Sequence, residues 1–212
     1  MGEPMRGMRG GVPGGVGGSV LVATGNPHKL REFSRLLEPA GVGVDPLPGD
    51  VELPPEVGDT YAANALPKAR AAAGATGRVT IADDSGIEAA ALGGRPGVRS
   101  ARYAGGEGGF ASDEANLAKL LREAPAGSAL RYVCALAWVD PIPREEHVVI
   151  GECVGTLAAA PRGEGGFGYD PVFVPEGDFG GRTMAELTDI EKDWISHRGE
   201  AVRALLAWLR ER

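Results

Sequence analysis

The sequence has few of the residues that build disulfide frameworks or soft-metal sites. Its 212 residues include two cysteines and three histidines. Cys134 and Cys153 lie in apolar, strand-like segments without metal-ligand spacing, so we expect buried free thiols in a reducing compartment, the cytoplasm. Three histidines are too few for a histidine-rich metal site, and no Ser/His/Asp or Cys/His arrangement typical of a catalytic nucleophile is evident.

Long apolar segments and an excess of positive charge are also missing. No run approaches the ~18 consecutive apolar residues of a membrane span. Residues 1–18, with eight glycines and two prolines, lack the apolar centre of a signal peptide. The net charge of −7 argues against nucleic acid as a partner. We therefore expect neither membrane nor nucleic acid as partners, a flexible glycine-rich tail over 1–18, and one domain over 19–212.

Lysine is scarce, and its distribution is informative. Of the 22 basic residues, 18 are arginine and four are lysine. Three of the lysines, Lys29, Lys68 and Lys192, fall within motif-like segments. Because an ammonium group is a compact point charge suited to phosphate, this distribution favours a small polyanion as the ligand.

Two adjacent carboxylates, Asp83 and Asp84, follow a short apolar segment over 79–82. The pattern predicts a buried strand that ends at the two aspartates, with Ser85 and Gly86 directly after it. Successive side chains on a strand point to opposite faces, so one aspartate can reach into a cleft while the other braces the loop. Carboxylate oxygens suit Mg²⁺. A plain Asp-Asp-Ser-Gly turn is the alternative interpretation.

A second motif follows an apolar strand over 19–23 and is formed by Thr24, Gly25, Asn26, Pro27, His28 and Lys29. Asn26 is a good N-cap and Pro27 suits the first helical position. Backbone N–H groups at a helix start lack partners, so this segment and Lys29 predict an anion site. An ordinary strand-to-helix turn with a surface lysine is the alternative.

Apolar periodicity predicts the other elements. Strands are expected over 42–47, 130–139 and 147–154, the last two as a hairpin, and helices over 60–73 and 112–123. Pro67 is expected to kink or restart the first of these helices. An acidic, proline-rich loop over 49–58 carries Glu52 and Glu56. Thr188–Glu191 form a capping box that starts a short helix, and Ser196 caps the last one.

A glycine-rich loop over 163–171 carries Phe167 and Tyr169, which indicates either a platform for stacking a base or a lid over the core. His197 and Arg198 stand at the start of the last helix rather than on its buried stripe. A histidine beside a bound polyanion tends to be protonated. We therefore expect both side chains to donate hydrogen bonds to an anion or a base carbonyl, with a structural role as the alternative.

Six motifs occur in one order along the chain. They are Thr24-Gly-Asn-x-x-Lys29, Asn64-Ala-x-x-Lys-Ala69, Ala82-Asp-Asp-Ser-Gly86, Pro96-Gly-Val-x-Ser-Ala-Arg102, Gly166-Phe-Gly-Tyr-Asp-Pro171, and Glu191-Lys192 with Ser196-His-Arg-Gly199. Together they resemble the inosine triphosphate pyrophosphatase family, the HAM1/RdgB-like enzymes that act on noncanonical purine nucleotides. The resemblance covers roughly residues 19–209.

This resemblance implies an α/β fold with a long mixed β-sheet flanked by helices, in two lobes around a nucleotide cleft. It also implies a homodimer and Mg²⁺-dependent hydrolysis of ITP, dITP, XTP or dXTP to the monophosphate and pyrophosphate. By the same resemblance, Asp84 is proton acceptor and metal ligand, with Glu52 and Glu56 both open as the second ligand. Substrate-binding residues would be Thr24, Gly25, Asn26, Pro27, His28, Lys29, Lys68, Ser85, Phe167, Gly168, Tyr169, Asp170, Lys192, His197 and Arg198.

The chain departs from the family pattern at Ala63, where family members commonly carry glutamate before the Asn-Ala pair, and in the poorly matching acidic loop. Two other functions are considered beside the main one. A Maf-like pyrophosphatase would act on pyrimidine or modified nucleotides, and a nucleotide-binding sensor would bind without turnover.

Overall fold

The computed structural model of the protein describes residues 18–105, 109, 111–142 and 144–212, so the tail expected over 1–18 lies almost wholly outside the described residues. Within them the chain forms six strands and five α-helices. The strands are β1 Ser19–Val22, β2 Gly43–Pro46, β3 Thr80–Ala89, β4 Ala129–Asp140, β5 Glu145–Leu157 and β6 Phe173–Pro175. The helices are α1 Pro27–Leu37, α2 Tyr61–Thr76, α3 Asp113–Glu123, α4 Asp189–Ile195 and α5 His197–Arg210.

All six strands belong to one mixed sheet in the order β2-β1-β3-β4-β5-β6. β1 pairs in parallel with β2 and β3, whereas the β3-β4-β5-β6 part is antiparallel. Pro46 is tolerated in β2 because this strand lies at the sheet edge. The long mixed sheet and the β4–β5 hairpin expected from the sequence are confirmed.

Helices cover both faces of the sheet, and β4 shows why. Ala135 and Ala137 on one face pack against the alanine-rich side of α2. Leu136 and Trp138 on the other face pack against α1 and α5. The alternation follows from the two-residue period of a strand, which gives each face its own apolar set.

A third apolar cluster surrounds the far ends of β3, β4 and β5 and includes Ile87, Leu120, Leu157 and Phe173. It joins α3 and β6 to the sheet and forms the second lobe. The two-lobe expectation is therefore confirmed. Along β3, Ile81 and Ala82 pack under the helices of the first lobe, and Ile87 and Ala89 belong to the third cluster. Asp83 and Asp84 lie between these two pairs.

The expectation that the strand ends at the two aspartates is wrong. β3 continues to Ala89 because β4 pairs with it throughout, with Asp83 opposite Leu136 and Asp84 opposite Ala135. The turn interpretation of this segment is therefore excluded as well.

The predicted restart at Pro67 is also wrong, since α2 continues through this residue as one helix. Proline removes the N–H that would otherwise bond the carbonyl of Ala63. Ala63 is exposed, so water can reach that carbonyl.

Every helix among the described residues is too short or too polar to span a membrane.

Candidate active site

Asp83 and Asp84 point to opposite faces of β3 and meet different partners. Asp83 faces α1 and α5, where its Oδ2 lies 2.9 Å from Lys29 Nζ and 3.1 Å from Arg198 Nη2. Asp84 faces α2, where its Oδ2 accepts a 2.9 Å hydrogen bond from Asn64 Nδ2. Both carboxylates are buried, at 1% and 4% exposure. The alternation expected from the sequence is confirmed, although it occurs within the strand.

Around Asp84 the charges are not balanced as they are around Asp83. Burial, and after it the negative charge of Glu56, raises the pKa of Asp84 to about 6. Lys68 lies at the same place: its ammonium group pairs with Glu56 and donates a 2.6 Å hydrogen bond to the Asp83 carbonyl. Two carboxylates that repel each other next to a lysine form a surface suited to a cation and to phosphate.

The two glutamates considered as second metal ligand differ in placement. Glu56 contacts Lys68 through its side chain, and its carbonyl accepts a 2.9 Å hydrogen bond from Arg102 Nη2. Glu52 is exposed. Among the described residues no group of three or more His, Cys, Asp or Glu could hold a metal. Asp84 and Glu56 still fit Mg²⁺, which usually takes one or two carboxylates and completes its shell with water and substrate phosphate.

On the opposite face of β3 a chain of buried ion pairs connects Asp83 with the glycine-rich loop. Arg198 pairs with Asp83 and with Glu32, and Glu32 also pairs with Lys192 at 2.6 Å. Lys192 in turn lies 2.6 Å from Asp170 Oδ2. Each of these charges has a counter-charge, which offsets the cost of removing it from water.

The pKa values in this chain follow from those pairings. Burial alone would raise the pKa of Asp83, but the positive charges of Lys29, Arg198 and Lys68 outweigh it and hold the pKa well below its ordinary value. For Glu32, burial is likewise outweighed by Arg198 and Lys192, which lower the pKa to about 2. Both carboxylates are therefore ionised at neutral pH.

The segment from Thr24 to Lys29 has the predicted strand-turn-helix geometry. Asn26 is the N-cap of α1, and Pro27 occupies the first turn. The Asn26 side chain accepts hydrogen bonds from the N–H groups of His28 and Lys29, at 2.8 and 3.4 Å. The N-cap predicted for Asn26 is confirmed, and it takes up two of the helix-start N–H groups that were expected to lack partners. Lys29 is instead the group here that offers positive charge.

The glycine-rich loop separates its two aromatic residues. Tyr169 is buried, and its hydroxyl donates a 2.8 Å hydrogen bond to the Ser100 carbonyl, so it serves as the lid over the core. Phe167 is half-buried, with its ring 5.1 Å from the His28 ring and 5.1 Å from Lys192 Nζ. Gly166 has a φ of 68°, and a Cβ there would lie 2.1 Å from the Asp170 carboxylate. Of the two aromatic rings, only that of Phe167 is partly exposed.

The protonation of His197 was predicted for a ring beside a bound polyanion and stays a prediction, because the contacts that the structure gives His197 are with protein groups. The residue is 6% exposed, and its ring stacks on Tyr132 with centroids 4.6 Å apart. Burial, and after it the charge of Arg198, holds the pKa of His197 well below its ordinary value. The imidazole is therefore neutral. Arg198 is also buried, at 1% exposure, and donates a 2.9 Å hydrogen bond to Ser85 Oγ besides its ion pairs.

Two residues of this region were not singled out as site residues from the sequence. Glu32 is buried at the centre of the ion-pair chain, and Asn64 is hydrogen-bonded to Asp84. The signal for Glu32 is its position three residues after Lys29, which puts both on one side of α1. Asn64 stands one helical turn before Lys68 and shares its helix face.

Fold and site together define an α/β protein whose mixed sheet brings buried carboxylates, lysines and a half-buried phenylalanine into one region. The Ham1 family model matches residues 20–208, and the chain belongs to this family. The family prediction made from the six motifs is confirmed.

Relatives support the same assignment. The chain is 48% identical over 203 residues to the dITP/XTP pyrophosphatase of Mycobacterium tuberculosis, covering 90% of this chain and 95% of that protein. It is 49% identical over 193 residues to the dITP/XTP pyrophosphatase of Geobacillus kaustophilus, covering 88% and 91%.

Two solved structures are similar to the fold. The structure of a HAM1 protein from Coxiella burnetii matches with a TM-score of 0.77 at 36% identity, covering 92% of this chain and 99% of that one. The structure of a nucleoside-triphosphatase, dITP/XTP pyrophosphatase, from Mycobacterium abscessus matches with a TM-score of 0.68 at 45% identity, covering 91% and 100%.

Proposed function

We propose that the protein hydrolyses noncanonical purine nucleoside triphosphates (ITP, dITP, XTP and dXTP) to the monophosphate and pyrophosphate. Its relatives' names support the substrate class. The observation that carries the proposal is the direct contact of Lys68 with both Glu56 and the Asp83 backbone, beside the buried carboxylate of Asp84. Phosphoanhydride hydrolysis needs charge neutralisation and an oriented water more than it needs a covalent nucleophile.

In this proposal Lys29 and Lys68 bind the triphosphate, and the turn over Thr24–Asn26 lies against it. Asp84 and Glu56 hold Mg²⁺, with Glu52 outside the site. When bound, Mg²⁺ neutralises phosphate charge and makes a bound water more acidic. Asp84 accepts the proton of the attacking water, for which its position next to a second carboxylate is suited.

The base and sugar are proposed to lie against the glycine-rich loop. Phe167 stacks on the base, with Gly168 and Asp170 shaping the pocket around it, while the buried Tyr169 supports the loop from inside the protein. Lys192 Nζ and the guanidinium carbon of Arg198 lie 5.1 and 5.8 Å from the centre of the Phe167 ring. As permanent donors they match the six-position carbonyl of hypoxanthine and xanthine better than the amino group of adenine. The neutral His197 supports the pocket through its stack on Tyr132.

We further propose that the protein acts in the cytoplasm as a homodimer. The family resemblance is the reason for the dimer, and the two buried free cysteines are the reason for the reducing compartment. Light scattering after size-exclusion chromatography measures the mass directly, and a value of one chain would contradict the dimer.

The test of function is a substrate panel scored for pyrophosphate against inorganic phosphate. dITP and XTP are expected to give pyrophosphate with Mg²⁺, and dATP far less. Faster pyrophosphate release from dTTP or UTP than from dITP and XTP would favour the Maf-like alternative instead. Binding of dITP without any product would favour the sensor. Release of inorganic phosphate would contradict the proposed bond cleavage.

A further inference from the structure

The buried amide of Asn64 contacts two elements at once. Its Nδ2 donates to Asp84 Oδ2 at 2.9 Å, and its Oδ1 accepts a 2.7 Å hydrogen bond from the N–H of Gly58. Nδ2 also lies 3.3 Å from the Gly58 carbonyl oxygen. The side chain is 3% exposed, so these contacts are shielded from water. One amide therefore links the catalytic strand to the acidic loop.

The acidic loop packs closely against Asn64 at Gly58, so the hydrogen bonds between them fix where this part of the loop lies. A Cβ at Gly58 would lie 2.8 Å from Asn64 Oδ1 and 2.8 Å from Ala63 Cβ, which leaves no room for a side chain. Two residues earlier in the loop, Glu56 is held by Lys68 and Arg102. The place of the Glu56 carboxylate thus depends on three contacts, one of which is the amide of Asn64.

We propose that Asn64 is the positioning residue for the metal-binding carboxylates, because it orients Asp84 and fixes the loop that carries Glu56. This role rests on the proposed function, since it concerns the same Mg²⁺ site. An amide suits it chemically. Its NH₂ group holds one oxygen of Asp84 without adding charge, and its C=O anchors the loop. Partners that orient metal ligands commonly alter metal affinity by 10- to 100-fold when they are removed.

The chain offers a matched control in Asn116. This side chain is also buried, at 2% exposure, and it also links two backbone segments. Its Oδ1 accepts a 2.8 Å hydrogen bond from the N–H of Ala104, and its Nδ2 donates at 3.2 Å to the Ala101 carbonyl. Neither of these contacts of Asn116 is with a carboxylate. Asn116→Ala therefore removes a buried amide that contacts neither Asp84 nor Glu56, and it reaches Glu56 only through Arg102, whose chain segment it holds.

The first experiment measures the Mg²⁺ concentration that gives half-maximal pyrophosphate release from dITP. Asn64→Ala is expected to raise it about tenfold or more, whereas Asn116→Ala stays within about twofold of wild type. The melting temperatures of both variants are expected to fall together. Equal Mg²⁺ dependence in the two variants would show that Asn64 has only a structural role.

A second variant separates the two contacts of Asn64 and guards against misfolding. Asn64→Asp keeps an acceptor for the Gly58 N–H but places a negative charge against Asp84, so the loop anchor remains while the orientation of Asp84 is lost. We expect kcat at saturating Mg²⁺ to fall at least about tenfold. Wild-type kcat together with wild-type Mg²⁺ dependence in Asn64→Asp would overturn the proposal.

A binding measurement keeps this inference separate from the proposed reaction. Mn²⁺ binding to the nucleotide-free protein is followed by electron paramagnetic resonance of the free ion. Weaker binding in Asn64→Ala but not in Asn116→Ala supports the positioning role even if dITP is not hydrolysed, which would refute the proposed function alone. Unchanged binding in Asn64→Ala contradicts the role itself.

Discussion

Asp83 and Asp84 are adjacent on β3, yet their carboxylates belong to separate networks. Asp83 is neutralised by Lys29 and Arg198 on the α1–α5 face, whereas Asp84 faces Asn64 and the acidic loop on the α2 face. The first carboxylate has a fixed counter-charge and the second has a carboxylate neighbour. The pair therefore combines a charge-balanced aspartate with the one that is proposed to act in hydrolysis.

Substitutions at the two aspartates are expected to separate these roles. Asp84→Asn should abolish pyrophosphate release while keeping or raising the melting temperature, because the charge that it removes is disfavoured by burial and, after burial, by Glu56. Asp83→Asn should lower the free energy of unfolding by about 3 kcal/mol, since it leaves Lys29 and Arg198 short of a counter-charge. Near-wild-type turnover of Asp84→Asn at saturating Mg²⁺ would contradict the assignment of Asp84.

Glu56 and Glu52 provide a second pair, and the structure distinguishes them. Glu56 contacts Lys68 beside Asp84, whereas Glu52 is exposed. Glu56→Gln is expected to raise the Mg²⁺ concentration for half-maximal turnover about tenfold or more, and Glu52→Gln to leave it unchanged. Titration of Mg²⁺ in the pyrophosphate assay measures both. The reverse order of effects would assign the second ligand to Glu52.

Local sequence signals predicted those parts of the molecule that depend on neighbouring residues in the chain. Asn26 before Pro27, and Thr188 before Glu191, specify helix starts through contacts within one turn, and both caps form. The extent of β3 could not be predicted this way. Its continuation past Asp84 depends on the pairing with β4, which is a tertiary contact.

The burial of Glu32 illustrates why part of the site was missed. A single glutamate in an amphipathic helix is usually solvated. Its spacing from Lys29 puts the two residues on one side of α1 but does not by itself bury Glu32. Glu32 is buried because Lys192 and Arg198 are brought to it from more than 150 residues later in the chain, with sequence separations of 160 and 166. The same contacts explain why Arg198 lies inside the protein rather than at an open helix start.

Glu32 is expected to make the protein sensitive to acid. Its pKa is lowered from 4.5 to about 2, so its contribution is fully present above pH 4.5 and is lost as the pH falls towards 2. The groups facing it are Arg198, Lys192 and His197. A shift of this size corresponds to about 3 kcal/mol of the free energy of unfolding.

Urea unfolding of wild type and Glu32→Gln at several pH values measures this contribution. The difference between the two proteins should shrink as the pH decreases from 5 to about 3. Glu38→Gln, at an exposed position just after α1, is the control and should match wild type throughout. A difference that did not depend on pH would mean that Glu32 acts through packing and not through its charge.

His197 predicts a second pH effect in a different range. Because its pKa in the folded protein lies well below 6.5, the unfolded chain binds a proton that the folded protein excludes. The resulting stability is complete above about pH 6.5 and decreases below it, at up to about 1.4 kcal/mol per pH unit. The charged or titratable groups around the ring are Tyr132, Arg198, Lys192, Glu32 and Asp83.

His197→Phe keeps an aromatic ring on Tyr132 and should remove this part of the pH dependence. The matched control is His147→Phe, because the native His147 ring also stacks on an aromatic side chain, that of Trp208, with centroids 4.0 Å apart. Unfolding free energies at pH 7.5, 6.5 and 5.5 distinguish the variants. If His197→Phe kept the full wild-type slope below pH 6.5, another group would have to be responsible for it.

The last prediction concerns the two aromatic residues of the glycine-rich loop, which the structure places differently. Phe167 is half-buried beside Lys192, whereas the Tyr169 hydroxyl bonds the Ser100 carbonyl inside the protein. Stacking of a base on an aromatic side chain contributes about 1–3 kcal/mol. Phe167→Ala is therefore expected to raise KM for dITP about tenfold or more at a nearly unchanged melting temperature. Tyr169→Phe should instead lower the melting temperature and leave KM unchanged. If Phe167→Ala lowered stability without changing KM, the loop would be a lid over the core and the base would stack elsewhere.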